Sequence, residues 1–346
     1  MTDFWPSILA RLTAGESLTS AETADAMRTI MRGEATPAQM GGFLMALRTK
    51  GETVEELEGL ASTTLEFAQP VDTPEAVVDT CGTGGDRAGT FNISTIAAIV
   101  CAGAGVKVAK HGNRAASSRC GSADLLEALG VRIDLGPPGV ERCIAEAGIG
   151  FMFAPVFHPA AAHAAVVRRE LAVPTTFNFL GPLTNPARPA AQIVGVSDRR
   201  MLPLVAEVLA RRGTQAMVFR SHDGLDELTT TGPATVVRTA DAGSTSTSEL
   251  DAAELTGLAR AGPDDLASGD AERNVSIARD VLGGKGGPKR DVVLVNAAAA
   301  LMVAARAKDL PGGVQLAATS IDSGAAGDAL ARWIETSRSM EEDGSG

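Results

Sequence analysis

The sequence predicts an α/β fold in which a small helical unit precedes a larger domain built on a mainly parallel sheet. Two observations lead there. Before residue 70, Thr-x-x-Glu or Thr-x-x-Gln boxes repeatedly open amphipathic runs; after residue 74, short apolar runs alternate with helical patterns. The first box, Thr19 with Glu22, precedes Ala24, Met27, Ile30 and Met31, and Gly33 ends that helix. Thr36, Pro37 and Gln39 repeat the signal before Met40, Phe43, Leu44 and Leu47, with Gly51 as the stop. Thr53 and Glu56 open a third run carrying Leu57, Leu60, Ala61 and Leu65. Three short helices bury little surface, so they are expected to lean on another element or on a second subunit.

Gln69 to Pro74 reads as a linker. Beyond it, the runs Ala76–Val78, Val106–Val108, Ile149–Phe153, Gln192–Val196, Ala216–Phe219 and Asp291–Val295 are predicted strands. Thr235–Arg238 and Ser244–Ser248, around Asp241-Ala242-Gly243, are predicted to form an antiparallel hairpin. The expected division is a helical domain over 1–70, an α/β domain over 75–338 and a polar tail over 339–346.

Composition narrows the function. The chain has 346 residues, 45% of them hydrophobic, so a large core is available. Aromatics are only 3% and tyrosine is absent, which disfavours stacking platforms for bases or sugars. A formal charge of −11 argues against a nucleic-acid-binding surface. Four dispersed cysteines suggest neither a disulfide framework nor a zinc site. No leader peptide and no bilayer-length apolar stretch is visible, so the cytoplasm is the expected location.

The strongest local signal is Val77-Val78-Asp79-Thr80-Cys81-Gly82-Thr83-Gly84-Gly85-Asp86, followed by Asn92-Ile93-Ser94-Thr95 and an apolar run. A strand, a glycine-rich turn and a helix start offer free N–H groups to an anion. Taken alone it serves equally as a plain βα turn with Ser94 or Thr95 as the helix cap, and it matches neither the P-loop nor the dinucleotide fingerprint. A second polar loop, Lys110-His111-Gly112-Asn113-Arg114-Ala115-Ala116-Ser117-Ser118, is expected just after the next strand. There the carboxyl ends of a parallel sheet form a crevice, and two anion-suited loops point to one phosphate site.

His222 to Glu227 carries three carboxylates, which repel unless solvated or bridged by a hard cation such as magnesium. A solvated acidic turn is the commoner outcome for such a run. Arg168 follows His158-Pro159 on a helical stretch through Leu171 and precedes the irregular segment Thr175 to Pro186. Guanidinium beside an apolar wall suits a small planar acid, although a single arginine on a helix is more often a surface residue. His111 and His158, judged singly, are more often structural.

Together these motifs carry a resemblance. GTGGD, NIST, KHGNRAASS, GSADLLEALG, FNFLGPLTNP and GLDE occur in the order typical of anthranilate phosphoribosyltransferases, and NAAAAL and IDSGAA follow. The chain resembles that family from about Thr19 to about Trp333. The resemblance implies a small all-helical domain hinged to a larger α/β domain, the helical part recruiting a stretch near residues 160–185 and pairing into a homodimer. It implies transfer of phosphoribose from 5-phosphoribosyl 1-diphosphate to the amine of anthranilate, with release of diphosphate, in tryptophan biosynthesis. By that likeness Gly82, Thr83, Gly84, Gly85, Asp86, Thr90, Asn92, Ser94, Thr95 and Lys110 bind the sugar diphosphate, joined by Ser117 and Ser122. Ser94, Asp226 and Glu227 serve two magnesium ions. Gly82, His111, Asn113, Arg168, Gly181 and Pro182 form the anthranilate channel, with Arg168 directed at the carboxylate. Lys110 and Arg168 are the expected catalytic residues. Cys120 stands where the family usually has serine, and Ala160-Ala161-Ala162 replaces bulkier residues after His-Pro. Neither change removes a residue on which the activity depends.

Two other functions fit part of this pattern. A pyrimidine-nucleoside phosphorylase shares the fold but lacks KHGNRAASS and GPLTNP. An inactive relative that binds nucleic acid would carry a basic groove, against the acidic balance here.

Overall fold

The computed structural model describes residues 4–115, 119–240 and 243–339. Four helices come first: α1 (Phe4–Thr13), α2 (Ser20–Met31), α3 (Pro37–Lys50) and α4 (Val54–Glu66). All three predicted capping boxes form, at Thr19, Thr36 and Thr53, each with reciprocal side-chain and backbone bonds. Each cap contributes about 1 kcal/mol. α1 is an addition to the three predicted helices. It has no capping box to announce it, and packing holds it: Trp5, Ile8 and Leu12 are buried, with Trp5 edge-on to Phe43 at 5.8 Å.

The chain then alternates. β1 (Val78–Gly82), α5 (Ile93–Gly103), β2 (Val108–Gly112), α6 (Ser122–Leu129), α7 (Pro137–Ala147) and β3 (Ile149–Phe153) come first. Short helix α8 (Ala154–Phe157), α9 (Ala162–Leu171) and α10 (Phe177–Leu180) lead to β4 (Ala191–Gly195), α11 (Met201–Arg211) and β5 (Gln215–Ser221). The hairpin β6 (Ala234–Ala240) and β7 (Ser244–Leu250) forms as expected; Asp241 and Ala242 lie outside the described residues. Helices α12 (Ala252–Thr256), α13 (Ala271–Leu282), α14 (Pro288–Val303), α15 (Leu310–Asp322) and α16 (Ala325–Ser339) finish the chain.

The sheet order is β3-β2-β1-β4-β5-β6-β7, with β1 to β5 parallel and the last two antiparallel. From β1 the chain proceeds outward to β3, then returns to place β4 on the other side of β1. Their carboxyl ends therefore make a switch point, where loops diverge and leave a crevice.

Three expectations need correction. Asp291–Val295 is not a strand but part of α14. Residues 292–301 of that helix are all buried, and a helix buried on every side has the same apolar texture as a core strand. Pro288, in its first turn, is the signal that separates the two. Lys110 and His111 do not follow the second strand; they lie within it, Lys110 opposite Phe151 and His111 opposite Met152. The α5 cap position falls to Asn92, not to Ser94 or Thr95, and the Asn92 side chain makes no capping bond.

Two apolar cores result. One lies among the sheet, α5, α7 and α14 to α16. The other joins α1 to α4 with Ala164, Val167, Phe179 and Leu180, and continues into Val194, α11 and Val218. Among the described residues no helix is long and apolar enough to cross a membrane.

Candidate active site

The glycine-rich turn closes directly after β1. Gly84 and Gly85 adopt φ of 67° and 83°, which only glycine tolerates readily, so their N–H groups can turn away from the sheet. The Gly84 N–H donates to Asp226 Oδ2 at 2.6 Å, and the Ser94 N–H at the start of α5 donates to Glu227 Oε1 at 3.1 Å. Two of the chain's own carboxylates thus sit on the N–H groups predicted to hold an anion. Glycine is required nearby as well, since a Cβ at Gly82 would collide with the Asp226 carboxylate. Gly195, at the end of β4, faces the Asp226 backbone with no room for a Cβ. Gly195→Ala is therefore expected to cost roughly 2–3 kcal/mol in urea unfolding and to displace the acidic pair. A variant with normal stability and activity would contradict that packing.

Burial is the largest influence on this pair, raising Asp226 to about 7 and Glu227 to about 8. Asp86 adds repulsion on Asp226, and Asp226 adds it on Glu227, while Lys110 opposes the rise on Glu227. Asp86 Oδ1 accepts from the Ala88 N–H at 3.1 Å, but its Oδ2 is buried without a hydrogen-bond partner. An orphaned carboxylate oxygen beside two repelling carboxylates is the donor set a hard cation would relieve. Among the described residues, no group of three or more His, Cys, Asp or Glu side chains is already assembled to hold a metal. A metal here would complete its shell with water and ligand oxygens.

Lys110 is buried, and its Nζ donates to the Thr80 carbonyl at 2.6 Å, beneath the turn. Burial lowers its pKa, while Asp79 and Glu227 draw the charge back. Thr80 Oγ1 in turn donates to the Ser94 carbonyl, tying β1 to α5. Thr83 is stitched to the loop after β4: its N–H donates to the Gly195 carbonyl at 2.9 Å, and its hydroxyl accepts from the Ser197 N–H at 3.1 Å. Asn92 Nδ2 donates to the Cys120 carbonyl, leaving its Oδ1 without a partner. Cys120 thus meets Asn92 through its backbone; burial pushes its thiol up to about 11, so it stays neutral.

Of the residues expected on the acceptor side, His111 and Gly181 meet directly. The His111 Nδ1 lies 3.2 Å from the Gly181 carbonyl, and its ring stands 5.0 Å from that of His158. Gly181 is exposed, and a Cβ there would meet nothing within 4 Å, so open space fronts it. Pro182 is buried, and its carbonyl accepts from Gln192 Nε2. Arg168, on the last turn of α9, lies over the Phe177 ring at 5.3 Å and has no carboxylate partner among the described residues. Burial lowers its pKa, a sign that the cation is poorly compensated.

Burial also depresses both histidines, His111 to about 3 with His158 adding to the effect, and His158 to about 4. A folded pKa below the unfolded value near 6.5 gives stability that is complete above pH 6.5 and is lost as pH falls toward 4. His158→Gln should remove roughly 3 kcal/mol of that acid sensitivity, read from urea unfolding between pH 7 and pH 4. An unchanged slope would show that His158 is not held neutral.

Not every expected residue converges. Thr90 makes an isolated bridge with Ala267, and Thr95 is buried in the first turn of α5. Ser122 Oγ is committed to the Asn113 carbonyl, and Asn113 itself is exposed with its Oδ1 accepting from the Arg114 N–H. Ser117 lies outside the described residues. Conversely, Asp79 joins the site without having been singled out by the sequence. Its two oxygens accept from the His111 N–H at 3.3 Å and from Asn185 Nδ2 at 2.8 Å, so one buried carboxylate joins the two halves of the site. A carboxylate inside an apolar strand is the available signal. A cavity of about 580 Å3 lies elsewhere, among Glu58, Pro182, Gln192 and Arg212, behind the acceptor segment. The converging N–H groups, not cavity size, locate the crevice.

Comparison with known proteins gives a consistent picture. Residues 6–68 match the glycosyl transferase family helical bundle domain, and residues 74–327 match the glycosyl transferase family a/b domain. The anthranilate phosphoribosyltransferase of Arthrobacter sp. (strain FB24) is 54% identical over 342 residues, covering 96% of each chain. The crystal structure of anthranilate phosphoribosyltransferase from Thermus thermophilus superposes with a TM-score of 0.90 at 42% identity, covering 96% of this chain and 99% of that one. The Saccharomyces cerevisiae enzyme in complex with PRPP and Mg superposes with a TM-score of 0.89 at 30% identity, covering 97% and 98%.

Proposed function

This chain belongs to the anthranilate phosphoribosyltransferases of the glycosyl transferase family, and we propose that its crevice moves phosphoribose from 5-phosphoribosyl 1-diphosphate to anthranilate. The products are N-(5-phosphoribosyl)anthranilate and diphosphate. One observation carries the reading: the Gly84 turn, the start of α5 and the Asp226–Glu227 pair meet at one point, with Lys110 beneath.

The aryl amine of anthranilate is neutral near pH 7, so the difficult event is departure of diphosphate as positive charge develops on the ribose. The N–H groups of the Gly82 to Gly85 turn and of the α5 start would take over the diphosphate oxygens from the two carboxylates. Asp86, Asp226, Glu227 and Ser94 would hold magnesium, two ions by this reading, which supplies charge neutralisation of the leaving group. Lys110, hydrogen-bonded to Thr80, steadies β1 below the turn and offsets the buried acids. On the other wall Arg168 would pair with the anthranilate carboxylate, while His111, Asn113, Gly181 and Pro182 shape the channel. No covalent nucleophile is needed.

The remaining assignments belong to the same reading. The helical domain over 1–70, with part of 160–185, would close on the α/β domain over 75–338 and exclude water from the donor. A homodimer paired through the helical part belongs to the same reading. Place in tryptophan biosynthesis follows from the product, and a cytoplasmic location belongs with it. Anthranilate fluorescence should disappear when the protein meets sugar donor and magnesium together, and in neither alone. Phosphorolysis of thymidine or uridine in place of that loss would favour the nucleoside phosphorylase alternative.

A further inference from the structure

We infer that Arg48, on the last turn of α3 and outside every motif considered above, is a positioning residue that holds the acceptor wall and the phosphate turn in one register. The inference rests on the reaction proposed for this crevice.

One guanidinium reaches three partners. It pairs with Asp198 just after β4, with Glu52 at 3.5 Å, and stands over the Phe179 ring at 5.2 Å. The other Glu52 oxygen accepts from Thr176 Oγ1 at 2.7 Å. Side-chain exposures of 17% for Arg48, 1% for Glu52 and 21% for Asp198 place the group largely out of water, where such pairs hold geometry tightly.

The partners lead to two walls, Glu52 and Phe179 to one and Asp198 to the other. Thr176 precedes α10, Phe179 lies on it, and Gly181 beside His111 follows it directly. Asp198 adjoins Ser197, whose N–H donates to Thr83 Oγ1 at 3.1 Å and whose hydroxyl donates to the Gly84 carbonyl at 2.7 Å. A single side chain from the helical part therefore ends two short relays, one to the acceptor segment and one to the glycine turn. For stability alone, apolar residues would serve as well as a buried ion cluster. What the cluster adds is a planar guanidinium that hydrogen-bonds Asp198 through one nitrogen while the other stays within ion-pair reach of Glu52, a span that a lysine ammonium does not reproduce.

The test compares Arg48→Met, Arg48→Lys and Ser197→Ala, with Arg211→Met as control. Arg211 also links α11 to α4, pairing with Glu207 and Glu55, but reaches neither loop. Arg48→Met should lower kcat/KM for donor and acceptor alike by about tenfold. Arg48→Lys should recover thermal stability without recovering kcat/KM, and Arg211→Met should leave both KM values unchanged. Adding Ser197→Ala to Arg48→Met should produce less than the product of the two single effects on donor KM. Amide hydrogen exchange at Thr83 and Ser197 needs no turnover and should quicken about tenfold in Arg48→Met. Wild-type kcat/KM in folded Arg48→Met, independent Ser197 effects, or unchanged exchange would each overturn the positioning role. A wild-type protein that leaves anthranilate unconsumed would overturn the reaction alone, because the exchange measurement still decides the coupling.

Discussion

Replacing Arg168 with alanine is expected to raise the KM for anthranilate by about a hundredfold while moving that for the sugar donor by less than about threefold. The size follows from a charge-assisted pair worth roughly 3 kcal/mol. The asymmetry follows from position. Arg168 lies over Phe177, two residues before Phe179 on the element that leads into Gly181, and has no carboxylate partner among the described residues. Its ring contact is with Phe177, on the acceptor side of the crevice, and it makes no direct contact with the Gly84 turn among the described residues. Arg168→Lys should fall between, since an ammonium keeps the charge but loses the fork. Steady-state kinetics with each substrate varied in turn decides the matter. Equal rises in both KM values would remove Arg168 from the acceptor wall.

Changing Asp226 and Glu227 together to asparagine and glutamine is expected to lower magnesium-dependent turnover by about a thousandfold or more. The same change should make the protein more stable at pH 8. The sign follows from the folded pKa values of about 7 and about 8, well above those of unfolded carboxylates near 4. Such groups take up protons on folding, so their contribution is most favourable below about pH 4 and is lost as pH rises through 7 to 8. The amide pair has no such slope. It can still accept from the Gly84 and Ser94 N–H groups, and a gain of roughly 1–3 kcal/mol at pH 8 is expected in urea unfolding. In the unaltered protein, magnesium should bind more tightly and release protons as pH rises across the same interval, read by calorimetry in buffers of different ionisation enthalpy. Turnover close to normal in the double variant would take both residues out of the metal site. A loss of stability at pH 8 would contradict the burial argument.

The legible parts of the site share one property: their geometry is set within a few residues. The capping boxes at Thr19, Thr36 and Thr53 each form between residues three positions apart. The glycine turn bends where Gly84 and Gly85 permit it, and the hairpin of β6 and β7 forms around the predicted turn. Sequence and structure part where neighbours distant in the chain decide. α14 looks like a strand because packing on all sides erases helical periodicity. Lys110 and His111 look like loop residues because the polar segment begins before the strand ends. Asp79 draws no notice until Asn185, 106 positions away, meets it.

By itself the sequence determined where α2, α3 and α4 start, which turn can present N–H groups to an anion, and the order of motifs that marks the family. Tertiary structure decided that Gly84 would meet Asp226 across 142 residues and Ser94 would meet Glu227 across 133. It also decided that burial would raise those acids and depress His111. Local turns are governed by backbone sterics, whereas side-chain charge depends on how much water is excluded. That exclusion exists only after β1, β4 and β5 have come to lie side by side.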